Sequence, residues 1–197
     1  MTEEKKNLYS DFICITNRHL VEGDFYDQIK RVVEKKPRLI ILREKDLPEK
    51  EYEEMLGKCA DICKGQVPLY AHTYINAAKN IGTKGVHLPM EQLRKLTLFD
   101  RDGWMKTLKI GASVHSVTEA LEAQQLSVSY VTAGHVFATD CKKGLPGRGL
   151  TFLQQVCKSV TIPVYALGGI QEDNLRIVMK MGAAGGAMMS GFMRMKS

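Results

Sequence analysis

Apolar residues in this chain come in short unbroken runs, and between the runs they recur at helical spacing. Largely apolar runs at 12–16, 38–43, 67–71, 85–88, 109–113, 129–132, 163–167 and 185–189 predict buried parallel strands, which need no polar face. The intervening segments 25–35, 75–81, 90–96, 117–125, 152–159 and 172–181 predict helices. Another helix is expected after Pro48, which suits a first turn, with Tyr52, Met55, Leu56, Cys59, Ile62 and Cys63 on one face. Ser116 with Glu119 three residues later is a capping pair, and Gly82 and Gly182 suit helix ends.

Eight strands alternating with helices every ~20–25 residues predict either a closed α/β barrel or a doubly wound sheet. No GxGxxG follows the first strand, which weighs against the dinucleotide-binding open sheet. Polar residues gather at or just after strands: Arg43 and Lys45, His72, His87, Ser113 and His115, His135, Gly168 and Gly169, and Ser190. Only a barrel brings all those ends onto one face. The expectation is a single (β/α)8 TIM-barrel domain over 1–197. Only residues 191–197 follow Ser190, so the C-terminal helix is expected to be truncated. Its groove would be filled by a second subunit of a homodimer or left apolar.

A hydrophobic fraction of 44% in 197 residues supports one full core. No run approaches the ~18 apolar residues of a membrane span. The N-terminus is charged, with no apolar segment behind it, so a cytoplasmic location is expected. Five cysteines are an odd count without a disulfide framework, and Cys59 and Cys63 read as core thiols. The net charge is +6, but Lys and Arg are interspersed with Glu and Asp. That pattern speaks against nucleic acid and leaves room for a small phosphate site.

The stretch 130–149 concentrates the chemistry. It starts as a strand at Tyr130 and ends in Gly144, Pro146, Gly147 and Gly149. Between them stand His135, Thr139, Asp140, Cys141, Lys142, Lys143 and Arg148, a set suited to an anionic substrate and proton transfer. His135 follows Gly134, which allows close approach of a ligand, and imidazole titrates near neutral pH. Gly168 and Gly169 after the seventh strand, with Ser190 and Gly191 after the eighth, form the usual phosphate cradle of a barrel. Arg43 suits a carboxylate or an ion pair at the barrel mouth. Ser113 and His115 share one side of an extended segment. His87 reads as packed inside the barrel and His19 as a surface residue.

The motifs in 42–45, 85–88, 111–115, 166–170 and 182–185 together resemble the thiamin phosphate synthase/TenI superfamily, in order and over nearly the whole chain. Within it, 113–116 and 134–149 resemble the TenI-type thiazole tautomerase. Synthases carry a proline where His135 stands, and carboxylates for Mg²⁺ where Thr73 and Gln92 stand. Neutral side chains are poor ligands for that hard cation. The resemblance therefore implies an isomerase of thiamin biosynthesis that aromatises a carboxythiazole phosphate by proton transfer, with no metal or cofactor. His135 would be catalytic. Arg43, Lys45, His72, Ser113, His115, Thr139, Lys142, Gly168, Gly169, Ser190 and Gly191 would bind a phosphorylated thiazole. The alternative is a thiamin phosphate synthase that joins thiazole phosphate to a pyrimidine pyrophosphate with Mg²⁺. A further alternative is a non-catalytic regulatory protein that binds thiazole phosphate.

Overall fold

The computed structural model describes residues 7–99, 103, 107–139 and 144–196. The eight strands are β1 (Phe12–Ile15), β2 (Leu39–Leu42), β3 (Leu69–His72), β4 (Gly85–Pro89), β5 (Lys109–Val114), β6 (Tyr130–Gly134), β7 (Val164–Leu167) and β8 (Gly185–Met188). They pair in parallel in chain order, and β8 closes onto β1. The structure is thus a closed barrel rather than an open sheet.

The helices among the described residues are α1 (Phe25–Glu34), α2 (Glu49–Cys63), α3 (Ile75–Ile81), α4 (Met90–Phe99), α5 (Val117–Gln125), α6 (Gly149–Ser159), α7 (Leu175–Lys180) and α8 (Ser190–Met193). Asp24 caps α1 by accepting from the Asp27 amide, and α3 ends at Gly82 in a left-handed conformation. Ser116 caps α5 through the Glu119 amide, but the Glu119 carboxylate bonds the His115 amide instead of reaching back to Ser116. Several boundaries differ from the pattern. β3 starts after Pro68, which has no N–H to offer a ladder, and runs on through His72. β6 continues to Gly134, and α7 begins only at Leu175, beyond turns at 172–174. None of these helices is long and apolar enough to cross a membrane.

α8 has four residues, as short as expected, and is secured within the chain. Gln28 of α1 donates to the carbonyls of Phe192 (2.6 Å) and Met195 (3.1 Å), and Phe192 packs edge-on against Phe12. Cys14, Cys59 and Cys63 are buried free thiols, and burial pushes all three pKa values up.

Two apolar layers hold the barrel. The outer one lies between strands and helices and includes Phe12, Ile29, Leu56, Leu93, Leu153 and Phe192. The inner one is Ile13, Ile15, Leu39, Ile41, Tyr70, Tyr130, Tyr165 and Ala187. Three tyrosines in that inner layer each face a glycine in register on a neighbouring strand. The pairs are Tyr70 with Gly85, Tyr130 with Gly111, and Tyr165 with Gly185. A Cβ at Gly111 would sit 2.2 Å from Tyr130 Cζ, and one at Gly85 would sit 2.7 Å from the Tyr70 ring. Tyr70–Tyr130 and Tyr130–Tyr165 centroids lie 6.1 and 5.8 Å apart in edge-to-face arrangements. The rings plug the interior, so open space begins only above them.

Gly111→Ala should therefore overpack this plug. A loss of about 1–3 kcal/mol is expected, read as a lower urea midpoint at unchanged m-value. Wild-type stability for this variant would show that the ring can move aside freely.

Candidate active site

A cavity of about 660 Å³ opens at the C-terminal ends of the strands, within the usual range for small-ligand sites. Arg43, His72, Ser113, His115, His135, Thr139, Gly168, Gly169 and Ser190 all line it. Lys45 does not. It lies beside a smaller cavity of about 210 Å³, with Asn17, His19, Glu44 and Asp46, and Arg43 borders both spaces. Burial, aided by the Arg43 charge, lowers the Lys45 pKa. Gly191 is also off the wall; a Cβ there would meet the Met188 side chain at 2.3 Å. Lys142, like Asp140, Cys141 and Lys143, lies outside the described residues.

The floor above the tyrosines is polar but uncharged. His72 is the last residue of β3, not the start of a loop, and its ring stacks on His87 of β4 at 6.1 Å and 24°. His87 Nδ1 lies 3.0 Å from the Tyr130 hydroxyl, and its Nε2 lies 2.8 Å from Ser113 Oγ. Burial drops the His87 pKa to about 3. Burial first, then His87, Arg43 and Lys45, drops that of His72 to about 2. Both rings are therefore neutral at neutral pH. The His72 backbone is pinned by Tyr52, whose hydroxyl accepts from the His72 amide at 2.8 Å and donates to the Leu42 carbonyl at 2.6 Å.

At the rim, His115 Nδ1 lies 2.8 Å from the Gly134 carbonyl, which leaves Nε2 for the cavity. His135 is 7% exposed; its Nε2 lies 3.4 Å from the Leu145 carbonyl, and its buried Nδ1 has no partner among the described residues. Gly168 and Gly169 make this packing feasible. A Cβ on Gly168 would stand 2.3 Å from His135 Cβ, and one on Gly169 would stand 2.7 Å from the Ala138 carbonyl. Val136 and Phe137 donate to the carbonyls of Leu167 and Gly168. The glycine pair thus admits the β6 loop as well as facing the cavity.

The mouth ion pair expected for Arg43 is made by Arg18. The buried Glu44 carboxylate accepts from Thr16 Oγ1 at 2.7 Å and from the Arg18 amide and guanidinium at 3.1 Å; Arg18 also grips Asp46. Arg43 makes no ion pair among the described residues. Its amide donates to Thr16 Oγ1. The pattern along the chain also left out Arg194, Gln171 and Leu145, which line the cavity. A cation four residues after Ser190 was the available signal for Arg194. No Asp or Glu among the described residues lines the cavity, so the charge its described residues bring is cationic.

Residues 12–192 match the TMP-TENI family model, described as thiamine monophosphate synthase. The chain belongs to that family. A thiamine-phosphate synthase from Clostridium acetobutylicum is 30% identical over 190 residues, covering 95% of this chain and 89% of that one. A putative thiamine-phosphate synthase 2 from Aquifex aeolicus is 30% identical over 181 residues, covering 91% and 96%. A thiamine phosphate pyrophosphorylase structure from Pyrococcus furiosus superposes with a TM-score of 0.79 at 30% identity, covering 95% and 89%. An N-acetylmannosamine-6-phosphate 2-epimerase from Clostridium perfringens, 10% identical with a TM-score of 0.66, shares the fold alone.

The three relatives at 30% identity overturn the tautomerase reading. Each of them carries a synthase or pyrophosphorylase name, whereas the isomerase expectation rested on 113–116, on 134–149, part of which lies outside the described residues, and on Thr73 and Gln92 in place of carboxylates. The proton-transfer role expected of His135 falls with it. The family's Mg²⁺ does not fit the donors that stand here. Thr73 brings a neutral hydroxyl, which donates to the His72 carbonyl at 2.6 Å, and Gln92 is exposed and neutral, so neither supplies the carboxylate charge that a hard cation needs. Neighbouring Glu91 is 77% exposed and bonded to Lys95. No cluster of three or more His, Cys, Asp or Glu suited to a metal occurs among the described residues.

The two neutral histidines make stability pH-dependent. Their folded pKa values, about 2 and 3, lie below the unfolded value, so the unfolded chain binds more protons as pH falls through about 6.5. Each should cost up to about 1.4 kcal/mol per pH unit below that point. Urea midpoints from pH 7.5 to 4.5 should therefore fall less steeply in His72→Asn than in wild type. Parallel slopes would mean that His72 titrates normally.

Proposed function

We propose that this chain is a transferase of the thiamin phosphate synthase type. It would join a thiazole phosphate to a pyrimidine pyrophosphate in the barrel-mouth cavity. The observation that carries the proposal is a roomy pocket whose described charges are all cationic, in a family whose members bear the synthase name. Two anionic substrates suit such a wall, because charge-assisted hydrogen bonds are the strong ones.

The bond changes are simple. The pyrimidine's methylene C–O bond breaks, and its electron pair leaves on pyrophosphate. The lone pair of the thiazole nitrogen then forms the new C–N bond, and no proton moves. The protein has to hold two rings face to face and stabilise the departing charge. Gly168, Gly169, Ser190 and Arg194 would hold the thiazole phosphate. Arg43 and Lys142 would hold the pyrophosphate, whereas Lys45, beside the smaller cavity, is given no contact with it. His72, Ser113, His115 and Thr139 would border the heterocycles. No step is assigned to a metal, since Thr73 and Gln92 do not suit one.

Purified protein given both substrates should release pyrophosphate and form thiamin phosphate in equal amounts. No pyrophosphate release above a boiled control would sink the proposal. Arg43→Ala should lower kcat/KM by roughly 10- to 100-fold, the worth of one hydrogen bond to a charged group. Free Mn²⁺, followed by electron paramagnetic resonance, should keep its signal when protein is added. The double variant Thr73→Asp/Gln92→Asp should quench that signal. Quenching by wild type would show that another donor set binds the ion.

A further inference from the structure

We infer that Ser113 is locked as a hydrogen-bond donor toward the ligand, and that Tyr130 and His87 are the positioning residues that lock it. The inference rests on the transferase reading only for the identity of the ligand. The lock itself follows from the buried hydrogen-bond chain.

Tyr130 sits in the barrel interior because Gly111, its register partner, leaves room for its ring. The phenol is buried, and burial raises its pKa far enough to keep it protonated. A buried O–H has to donate. The acceptor it meets among the described residues is His87 Nδ1, at 3.0 Å. His87 is neutral and carries one proton, so accepting at Nδ1 places that proton on Nε2. Nε2–H then donates to Ser113 Oγ at 2.8 Å. Thr132 Oγ1, 3.4 Å from a nitrogen that already bears hydrogen, is left to donate to Ser113 Oγ at 3.3 Å. Ser113 thus accepts from two sides. Its own hydrogen has one direction left, into the cavity that Ser113 lines.

The ligand atom opposite Ser113 must therefore present a lone pair, as a phosphoryl oxygen or an unprotonated ring nitrogen does. A group that offers only hydrogen there, such as an aromatic amine, would meet another hydrogen and be rejected. Without the chain, a serine hydroxyl would rotate freely and tolerate either. Tyr130, which never touches the ligand, acts through two other residues to set this preference.

Two measurements test it. Long-range ¹H–¹⁵N correlation spectra of the wild-type protein should show His87 as a single tautomer, protonated on Nε2. A proton on Nδ1 overturns the inference. The second is a double-mutant cycle read by calorimetry, with inorganic pyrophosphate and the pyrimidine alcohol lacking its diphosphate as probes. Ser113→Ala should weaken the probe that carries the acceptor by roughly 2- to 10-fold, one net hydrogen bond. Loss on pyrophosphate identifies a phosphoryl oxygen, loss on the alcohol an acceptor on the pyrimidine moiety, and loss on neither overturns the inference. Tyr130→Phe should weaken the same probe and have no further effect in the Ser113→Ala background, whereas additive losses would mean that Tyr130 acts by packing alone. If neither probe binds wild type, the transferase reading fails, and the His87 tautomer still decides the lock.

Discussion

Three phenol rings wedged against three glycines govern the rest of this barrel. Tyr70, Tyr130 and Tyr165 enter the interior from β3, β6 and β7, and each takes the volume that a side chain on the adjoining strand would have filled. Close packing of this kind has little slack. It sets the height at which the interior stops being solid and becomes a pocket. The polar groups that reach the pocket form the next layer up, beside Ile15, Ile41 and Ala187 of the inner layer itself.

That layer is mixed in character. Over the rings lie neutral, hydrogen-bonded groups: His72, His87, Ser113 and Thr132. Arg43 and Arg194 line the same pocket. A deeply buried carboxylate at this end, Glu44, is saturated by Thr16 and Arg18 and contributes little free negative potential to the pocket. Leaving such a group unpaired would be costly, which accounts for its several donors. An anion entering the pocket therefore meets two cations and a neutral hydrogen-bonding surface.

Much of this was legible along the chain. The eight runs and the glycines at strand ends led to the closed barrel, because buried parallel strands are apolar on both sides and catalytic loops follow them. Arg43, His72, Ser113, His115, His135, Gly168 and Ser190 were all expected at one mouth and are found there. What escaped depends on contacts between residues far apart in sequence. Arg18, not Arg43, pairs with Glu44, since only folding brings β1's loop beside β2's. Arg194 hides in a four-residue helix too short to show periodicity. The link from Tyr130 through His87 to Ser113 spans three strands, and no local pattern announces it. The tautomerase reading went astray on the resemblance of two short stretches and two neutral replacements, whereas relatedness over 95% of the chain carries the synthase name.

The tyrosine–glycine pairs bear on how such a floor could change over generations. At Gly111 the nearest atoms to an added Cβ all belong to the Tyr130 ring, so drift at either position alone is arrested while a compensated swap could reshape the basin in a single step. At Gly85 and Gly185 a main-chain carbonyl, of Lys109 and of Asp11, stands closer than the ring, so no exchange of side chains frees those two positions.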